Sequence, residues 1–188
     1  EILLLFRHMS NIESFRLALK PDALLWLSLH TNVSRPQDLF TSIRAHSNLA
    51  MMDASRIISP SQLVVAANIA VTRDSKQTVA WDTVLQAASS SHLGHVMRDN
   101  AFGDDSLPGV ENATIIALAV GGTVEDFQAS LKEVGLETPK PISLYFNRQL
   151  TPEEIADFYK WYKLTNEEVA MSSLEEAILT RVSTKFYV

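Results

Sequence analysis

Two histidines three residues apart are the first side chains in this sequence that could do chemistry. His92 and His95 fall in a predicted helix over residues 91–102, where such a spacing places both rings on one face. Asp99, one turn further on, could complete a set of three metal ligands. Two histidines specify a metal poorly, however, and no other motif supports a site. We interpret them as surface or capping residues, with a stand-alone metal-dependent enzyme as the alternative.

The turn Gly121-Gly122-Thr123 is a second candidate, because it lies between a predicted buried strand and a predicted helix. The amides and dipole of a helix N-terminus can hold a phosphate at such a junction. The fingerprints GxGxxG and GxxxxGK[ST] are absent from the sequence, and Glu125 and Asp126 would repel an anion from the first turn. We interpret the glycines as a plain turn, with a nucleotide-dependent enzyme as the alternative.

Composition narrows the classes of protein further. A chain of 188 residues with 46% hydrophobic and 20% charged residues can bury a substantial core as one domain, residues 1–188. The formal net charge of −6 argues against a nucleic-acid binder that works through bulk positive charge. The absence of cysteine excludes disulfides, thiol catalysis and cysteine-ligated zinc, and fits an intracellular protein.

The start of the chain carries a short apolar run at residues 2–6, which is too short for a membrane span and is typical of a buried strand. Because the chain begins at Glu1 rather than at a methionine, we expect that some N-terminal sequence is missing.

The elements that position these residues alternate between strand and helix patterns, which predicts an α/β fold with a small mixed sheet flanked by helices. Strands are expected at residues 24–33, 49–58, 78–87, 113–120 and 142–146. Helices are expected at residues 11–19, 34–46, 60–71, 91–102, 123–134 and in two segments within 151–185.

The predicted helix over residues 60–71 has a clear start, with Ser59 as its cap and Pro60 at its first position. Its body is apolar nearly all round, and a helix without a polar face is covered on more than one side. It is therefore either the central helix of the core or a helix whose second face meets another chain.

The two C-terminal segments look like a docking device rather than an active site. The first begins at Thr151-Pro152 and carries four large rings, and the second carries an apolar stripe that ends in cations. A terminal helix of this kind closes a core or meets a partner. We predict that the chain has no catalytic residues and acts by binding, so that the apolar side chains near the carboxyl end stay exposed until a second polypeptide covers them.

Three stretches of the sequence form a familiar pattern, which includes LVVAANIAV at residues 63–71 and, as its most specific part, AILTRVSTK at residues 177–185. They resemble the PRPK-binding (TPRKB-like) family, the kinase-binding subunit of the EKC/KEOPS complex. Residues 63–71 are similar to the family's LVAANKAV helix. Residues 162–164 (YKL) and 177–185 (AILTRVSTK) are similar to its YKL and AIICRMSTK segments. Residues 93–103 and 114–120 resemble, more weakly, its helix ending in Phe-Gly and the strand that follows. Together these stretches cover about half of the chain.

The resemblance implies a non-catalytic regulatory subunit without a cofactor or a metal, found in the cytoplasm and nucleus and not in a membrane. It implies that the chain binds and stimulates the small atypical kinase/ATPase of the complex, contacts the other subunits indirectly, and supports threonylcarbamoyladenosine modification of tRNA. Family members bind the kinase largely through helices, including the C-terminal one. Carried onto this sequence, the partner interface comprises Leu63, Ala67, Leu174, Ile178, Arg181 and Val182.

The chain departs from the family after the apolar helix, where members carry a basic Lys-Thr-Arg-like run. Here the corresponding stretch, residues 76–81 (KQTVAW), keeps one cation. The resemblance therefore places any tRNA contact on Arg73, Lys76 and Trp81, whose indole could stack on a base. Two alternative functions remain. The chain could be an independent tRNA-binding module, or a homodimer that pairs through the terminal helix.

Overall fold

The computed structural model describes residues 11–34, 36–44, 48–89 and 112–185. Within these ranges one sheet contains four strands: β1 (Ile12–Arg16), β2 (Leu24–Val33), β3 (Ala50–Asp53) and β4 (Ala113–Val120). Their order across the sheet is β1-β2-β4-β3, and every neighbouring pair is antiparallel. The predicted α/β class is confirmed, and the described sheet is antiparallel rather than mixed.

The centre of the sheet is buried on both faces. Leu27 lies opposite Leu118 on one face, and Ser28 lies opposite Ala117 on the other, and all four residues are buried. This is why β2 and β4 have nearly continuous apolar sequences instead of alternating ones. The predicted strands at 24–33 and 113–120 are both confirmed with the expected bounds.

Helices and one 3-10 turn (Ala54–Arg56) cover the sheet. The described helices are α1 (Pro36–Arg44), α2 (Pro60–Ala70), α3 (Val79–Ala87), α4 (Val124–Glu133), α5 (Ser143–Phe146), α6 (Pro152–Tyr162), α7 (Asn166–Met171) and α8 (Leu174–Thr184). None of these described helices is long and apolar enough to cross a membrane.

Serine and threonine caps set the starts of the C-terminal helices. Thr151, Thr165 and Ser173 each accept a hydrogen bond from the amide three residues on, and the glutamate at that position bonds back to the amide of the cap. The second predicted segment is therefore two helices, because Ser172 leaves the helical conformation (φ −140°, ψ −148°) and Ser173 starts α8 afresh.

Three predicted elements have the wrong type. Residues 11–19 were predicted as a helix but contain β1, because pairing with β2 prevails over the helical spacing of the apolar residues. Residues 78–87 were predicted as a strand but form α3, which Thr78 caps by accepting a hydrogen bond from the Trp81 amide. Residues 142–146 were predicted as a strand but contain the single-turn helix α5.

Two other predictions lie outside the described residues. These are the opening strand at residues 2–6 and the helix at 91–102, which carries His92 and His95.

The apolar helix α2 is the central helix of the described core, as one of its two interpretations requires. It packs against both α3 and α8. Ala66, Ala67 and Ala70 are almost fully buried, and such small side chains allow neighbouring helices to approach closely. The prediction that this helix is covered on more than one side is confirmed.

Candidate partner-binding surface

A buried polar network fixes the helical side of the molecule. The Gln62 amide nitrogen donates to the Tyr162 hydroxyl (2.6 Å) and to the Ala87 carbonyl (2.9 Å), and the Gln62 carbonyl accepts from the Ile58 amide (2.9 Å). The Tyr162 hydroxyl lies within hydrogen-bond distance of the Arg56 and Ala87 carbonyls (3.0 and 2.9 Å). This network joins α2, α3, α6 and the 3-10 turn into one unit, and burial raises the pKa of Tyr162 above its usual range.

The last helix is anchored to the same unit at its C-terminal end. The Gln86 amide on α3 donates to the Val182 carbonyl (2.5 Å). The Lys185 ammonium donates to the Ala88 carbonyl (2.9 Å) and also to the Leu85 carbonyl. Burial, with a smaller contribution from the charge of Arg73, lowers the pKa of Lys185 to about 7. The end of α8 is therefore part of the fold of this chain.

Burial corrects the interpretation of four predicted interface residues. Leu63, Ala67 and Ile178 have no exposed surface, and Val182 is 1% exposed. These side chains close the chain's own core between α2 and α8, so they have no surface to offer a second polypeptide. The expectation that the apolar stripe of the last helix stays exposed until a partner covers it is wrong for Ile178 and Val182. Leu63 and Ala67, predicted as interface residues on α2, are buried as well.

The other two predicted interface residues remain partly exposed. Leu174 is half-buried at the start of α8, and the Arg181 side chain is 41% exposed. The Arg181 guanidinium pairs with the Glu168 carboxylate (2.6 Å) and reaches the Lys163 carbonyl (3.3 Å), which ties α8 to α7 and to the end of α6. Arg181 therefore has a role within the chain, and its outer edge is accessible.

The three predicted RNA-contacting residues differ in how far they are exposed. Arg73 and Lys76 are exposed in the loop between α2 and α3. Trp81 is only 6% exposed and packs edge-on against Phe40, with 5.7 Å between the ring centroids. Trp81 cannot stack on a base as predicted, because α3 turns its indole into the core.

The glycine turn is used to start α4. Gly121 and Gly122 have positive φ angles of 80° and 69°, which favour glycine. The Thr123 hydroxyl accepts from the Asp126 amide (3.2 Å), and the Asp126 carboxylate accepts from the Thr123 amide (3.0 Å). Side chains of the chain itself already bind these two amides, which a phosphate would otherwise need.

Titratable groups in the described part of the chain form no cluster that could hold a metal ion. A Ser–His pair exists, with 3.0 Å between the Ser28 hydroxyl and the His30 ring nitrogen Nε2. Ser28 is completely buried, however, so no substrate reaches its hydroxyl. Burial also lowers the pKa of His30 to about 4, which keeps the ring neutral near neutral pH.

An apolar crevice that the sequence did not indicate opens between α5, α6 and the start of α8. Its volume is about 320 Å³. Its walls are mostly apolar and include Ile58, Tyr145, Phe146, Leu150, Phe158 and Leu174. The prediction of a strand at 142–146 concealed this crevice, because only a helical turn brings both Tyr145 and Phe146 to its wall.

Large apolar side chains are exposed in the elements around the crevice. Leu144 of α5 is 69% exposed, Met171 at the end of α7 is 89% exposed, and Ile155 of α6 is 38% exposed. None of these three side chains lines the crevice itself: Leu144 and Ile155 lie on helices that form its walls, and Met171 lies on α7, which packs against α8. Exposed apolar residues on such helices are typical of a surface that binds another molecule. The sequence analysis did not indicate this exposure of Leu144, because it predicted a strand at residues 142–146.

The described residues form a single helix-and-sheet domain, and its helical side carries the crevice and the exposed apolar residues. A family model described as kinase binding protein CGI-121 matches residues 30–186, which is most of the chain. The chain belongs to this family of kinase-binding proteins, and the match confirms the resemblance found in the sequence. A comparison with curated proteins finds no match.

Proposed function

We propose that this chain is a non-catalytic regulatory subunit that binds and stimulates the small atypical kinase/ATPase of the EKC/KEOPS complex. In this role it supports the formation of threonylcarbamoyladenosine in tRNA. The observation that carries the proposal is the match to the kinase-binding family over residues 30–186, a range that includes α1 to α8.

The geometry supports a binding role for the helical side. The Gln62–Tyr162 network and the anchored end of α8 hold α2, α3, α6 and α8 as a rigid unit, and a preorganised surface loses little entropy on binding. Leu174 and Arg181 are the proposed contact residues. Leu63, Ala67, Ile178 and Val182 support that surface from below.

We further propose that the chain helps to recruit tRNA to the complex. With Trp81 in the core, direct contact would depend on the exposed Arg73 and Lys76. Two phosphate contacts give a shallow dependence of affinity on salt, whereas an independent tRNA-binding module would need several contacts and a steep dependence. Titration of tRNA at several salt concentrations, with and without the kinase, distinguishes the two.

The regulatory role is tested by the ATPase rate of the purified kinase. Adding the full chain should raise this rate in a saturable manner, while the chain alone should show no nucleotide hydrolysis. A rate that stays unchanged at saturating chain would remove the stimulatory role. Hydrolysis by the chain alone would support the alternative of a stand-alone enzyme.

The proposed location is the cytoplasm and nucleus, in common with a tRNA-modifying complex. Fluorescence microscopy of the tagged protein in its own host should show both compartments, and confinement to a membrane would contradict the proposal.

A further inference from the structure

The crevice between α5, α6 and α8 has an unusual charge distribution for an apolar site. Glu175 lines it and accepts a hydrogen bond from the Ser59 hydroxyl (2.5 Å). Asp53 accepts from the amide of Ser55, which also lines the crevice (2.9 Å). Arg148, the cation in the lining, is already engaged by Glu154 through two hydrogen bonds (2.8 and 2.5 Å). Arg56, between the lining residues Ser55 and Ile57, adds a second positive charge, so the three carboxylates of Glu175, Asp53 and Glu154 exceed the two guanidinium groups by one.

The neighbouring helix starts extend this negative charge. The first turns of α6, α7 and α8 each contain a pair of glutamates, at positions 153–154, 167–168 and 175–176. An incoming group with negative charge would be repelled. A second copy of this chain would bring like-charged surfaces together, and a nucleic acid would bring phosphates against carboxylates.

The size of the crevice limits what can enter it. A volume of about 320 Å³ is at the small end of the roughly 300–1,000 Å³ typical of ligand pockets. Its aromatic and aliphatic walls favour apolar atoms, and Leu174 and Phe146 are both half-buried and so retain surface to cover. One or two large apolar side chains match this space.

We propose that the crevice binds a basic amphipathic segment of the kinase partner, with an apolar side chain in the crevice and flanking Lys or Arg residues against the acidic surroundings. The apolar anchor supplies most of the affinity, and the charges supply orientation and rate of association. This inference rests on the proposed function, because it takes the kinase as the partner.

The test is calorimetric titration of the full chain with the purified kinase. The variant combines Leu174→Glu, in the lining of the crevice, with Leu144→Glu on the exposed side of α5, the helix that carries the lining residues Tyr145 and Phe146. Leu144 is 69% exposed, and an acid at the first position of α8 suits the helix dipole, so the fold should survive. We expect the Kd to rise by about tenfold or more.

The matched control is Leu19→Glu. Leu19 is 62% exposed, and its amide bonds to the Asn68 side chain, near the opposite end of α2 from the crevice. This variant should bind the kinase as the unchanged chain does. Raising the salt concentration should weaken binding of the unchanged chain, since acidic and basic surfaces meet.

Hydrogen exchange of the unchanged chain gives a readout that needs no variant. Kinase binding should protect amides at 143–150 and 173–175. No protection there, together with an unaltered Kd for the double variant, would overturn the crevice proposal while leaving kinase binding intact. A chain that does not bind the kinase at all would instead remove the proposed function. Self-association that the double variant abolishes would show that the occupant is a second copy, and would also overturn the proposal.

Discussion

His30 is a buried titratable residue whose neutral form the fold requires. It is 4% exposed, and burial lowers its pKa to about 4 from an ordinary value of 6.5. Between these two pH values the unfolded chain binds a proton that the folded chain does not. Stability is therefore complete above pH 6.5 and is lost as the pH falls towards 4.

This residue gives a pH-dependent prediction. Between pH 7 and pH 5, His30 should contribute a loss of about 2 kcal/mol to the free energy of unfolding, since one pKa unit corresponds to about 1.4 kcal/mol. Urea denaturation at both pH values measures this loss. The variant His30→Gln should show a smaller loss, because Gln does not titrate. An equal loss in both proteins would contradict the assignment to His30.

Tyr162 gives a second prediction at the residue scale. Tyr162→Phe leaves the packing in place but removes a hydroxyl that the Gln62 amide and two carbonyls approach. The Arg56 carbonyl loses this bond, and the Gln62 amide and the Ala87 carbonyl keep their bond to each other. The lost hydrogen bonds should cost about 1–3 kcal/mol of stability. The control is Tyr159→Phe, a half-buried ring on the same helix, which should change stability by less than about 0.5 kcal/mol. Equal effects in chemical denaturation would refute a special role for Tyr162.

The corner between α5 and α6 is held by an ion pair that also caps a helix. Arg148 binds both carboxylate oxygens of Glu154 and lies over the Tyr145 ring, 4.5 Å from its centroid. Glu154 also accepts from the Thr151 amide (2.9 Å), and these bonds, led by the one from Arg148, lower its pKa to about 2. The stability from this carboxylate is present above pH 4.5 and is lost as the pH falls towards 2.

Glu154→Gln should therefore destabilise the protein by about 1 kcal/mol at neutral pH, a modest value because both side chains are about a third exposed. Glu153→Gln provides the control, since Glu153 is exposed in the same turn and should be nearly neutral. Thermal unfolding at pH 7 compares the two. A larger loss of stability from Glu153→Gln than from Glu154→Gln would show that charge near the helix dipole, and not the Arg148–Glu154 ion pair, stabilises this corner.

The packing of α8 gives a prediction that tests whether Ile178 belongs to the core or to the partner interface. Ile178→Ala should lower the free energy of unfolding by roughly 2–5 kcal/mol, because it opens a cavity against α2. Thr180→Ala on the exposed side of the same helix should have little effect. If Ile178→Ala left stability unchanged and abolished kinase binding, Ile178 would belong to the interface after all.

Sequence patterns predicted elements well where one physical signal dominated. β2 and β4 have long apolar runs, and α2 and α6 have a capping residue followed by proline at the first helical position. The patterns failed for α3, where almost every residue is buried, so that neither the helical nor the strand period is visible. They failed for β1 because long-range pairing with β2, and not local spacing, decides its structure.

At the scale of the whole molecule, the proposed binding surface follows only in part from the sequence. The C-terminal motif pointed to the last helix, but apolar character does not distinguish a side chain that closes its own core from one that contacts a partner. Ile178 and Val182 are of the first kind, and Leu174 retains accessible surface. The crevice could not be predicted, because its wall depends on the helical turn within residues 142–146 and no local sequence pattern indicated that turn.

The charge of the whole molecule bears on the kind of partner that it can bind. The net charge of −6 and the acidic helix starts disfavour a phosphate backbone and favour a basic protein surface. The family match indicates a kinase as the partner, and the charge distribution supports our proposal that this kinase presents a basic segment.

The most direct measurement is the mass of the species formed when the full chain and the purified kinase are mixed at micromolar concentration, determined by light scattering during size-exclusion chromatography. We predict one species whose mass is the sum of one chain of 20.9 kDa and one kinase. Two separate species, each with the mass of its own protein, would contradict the account.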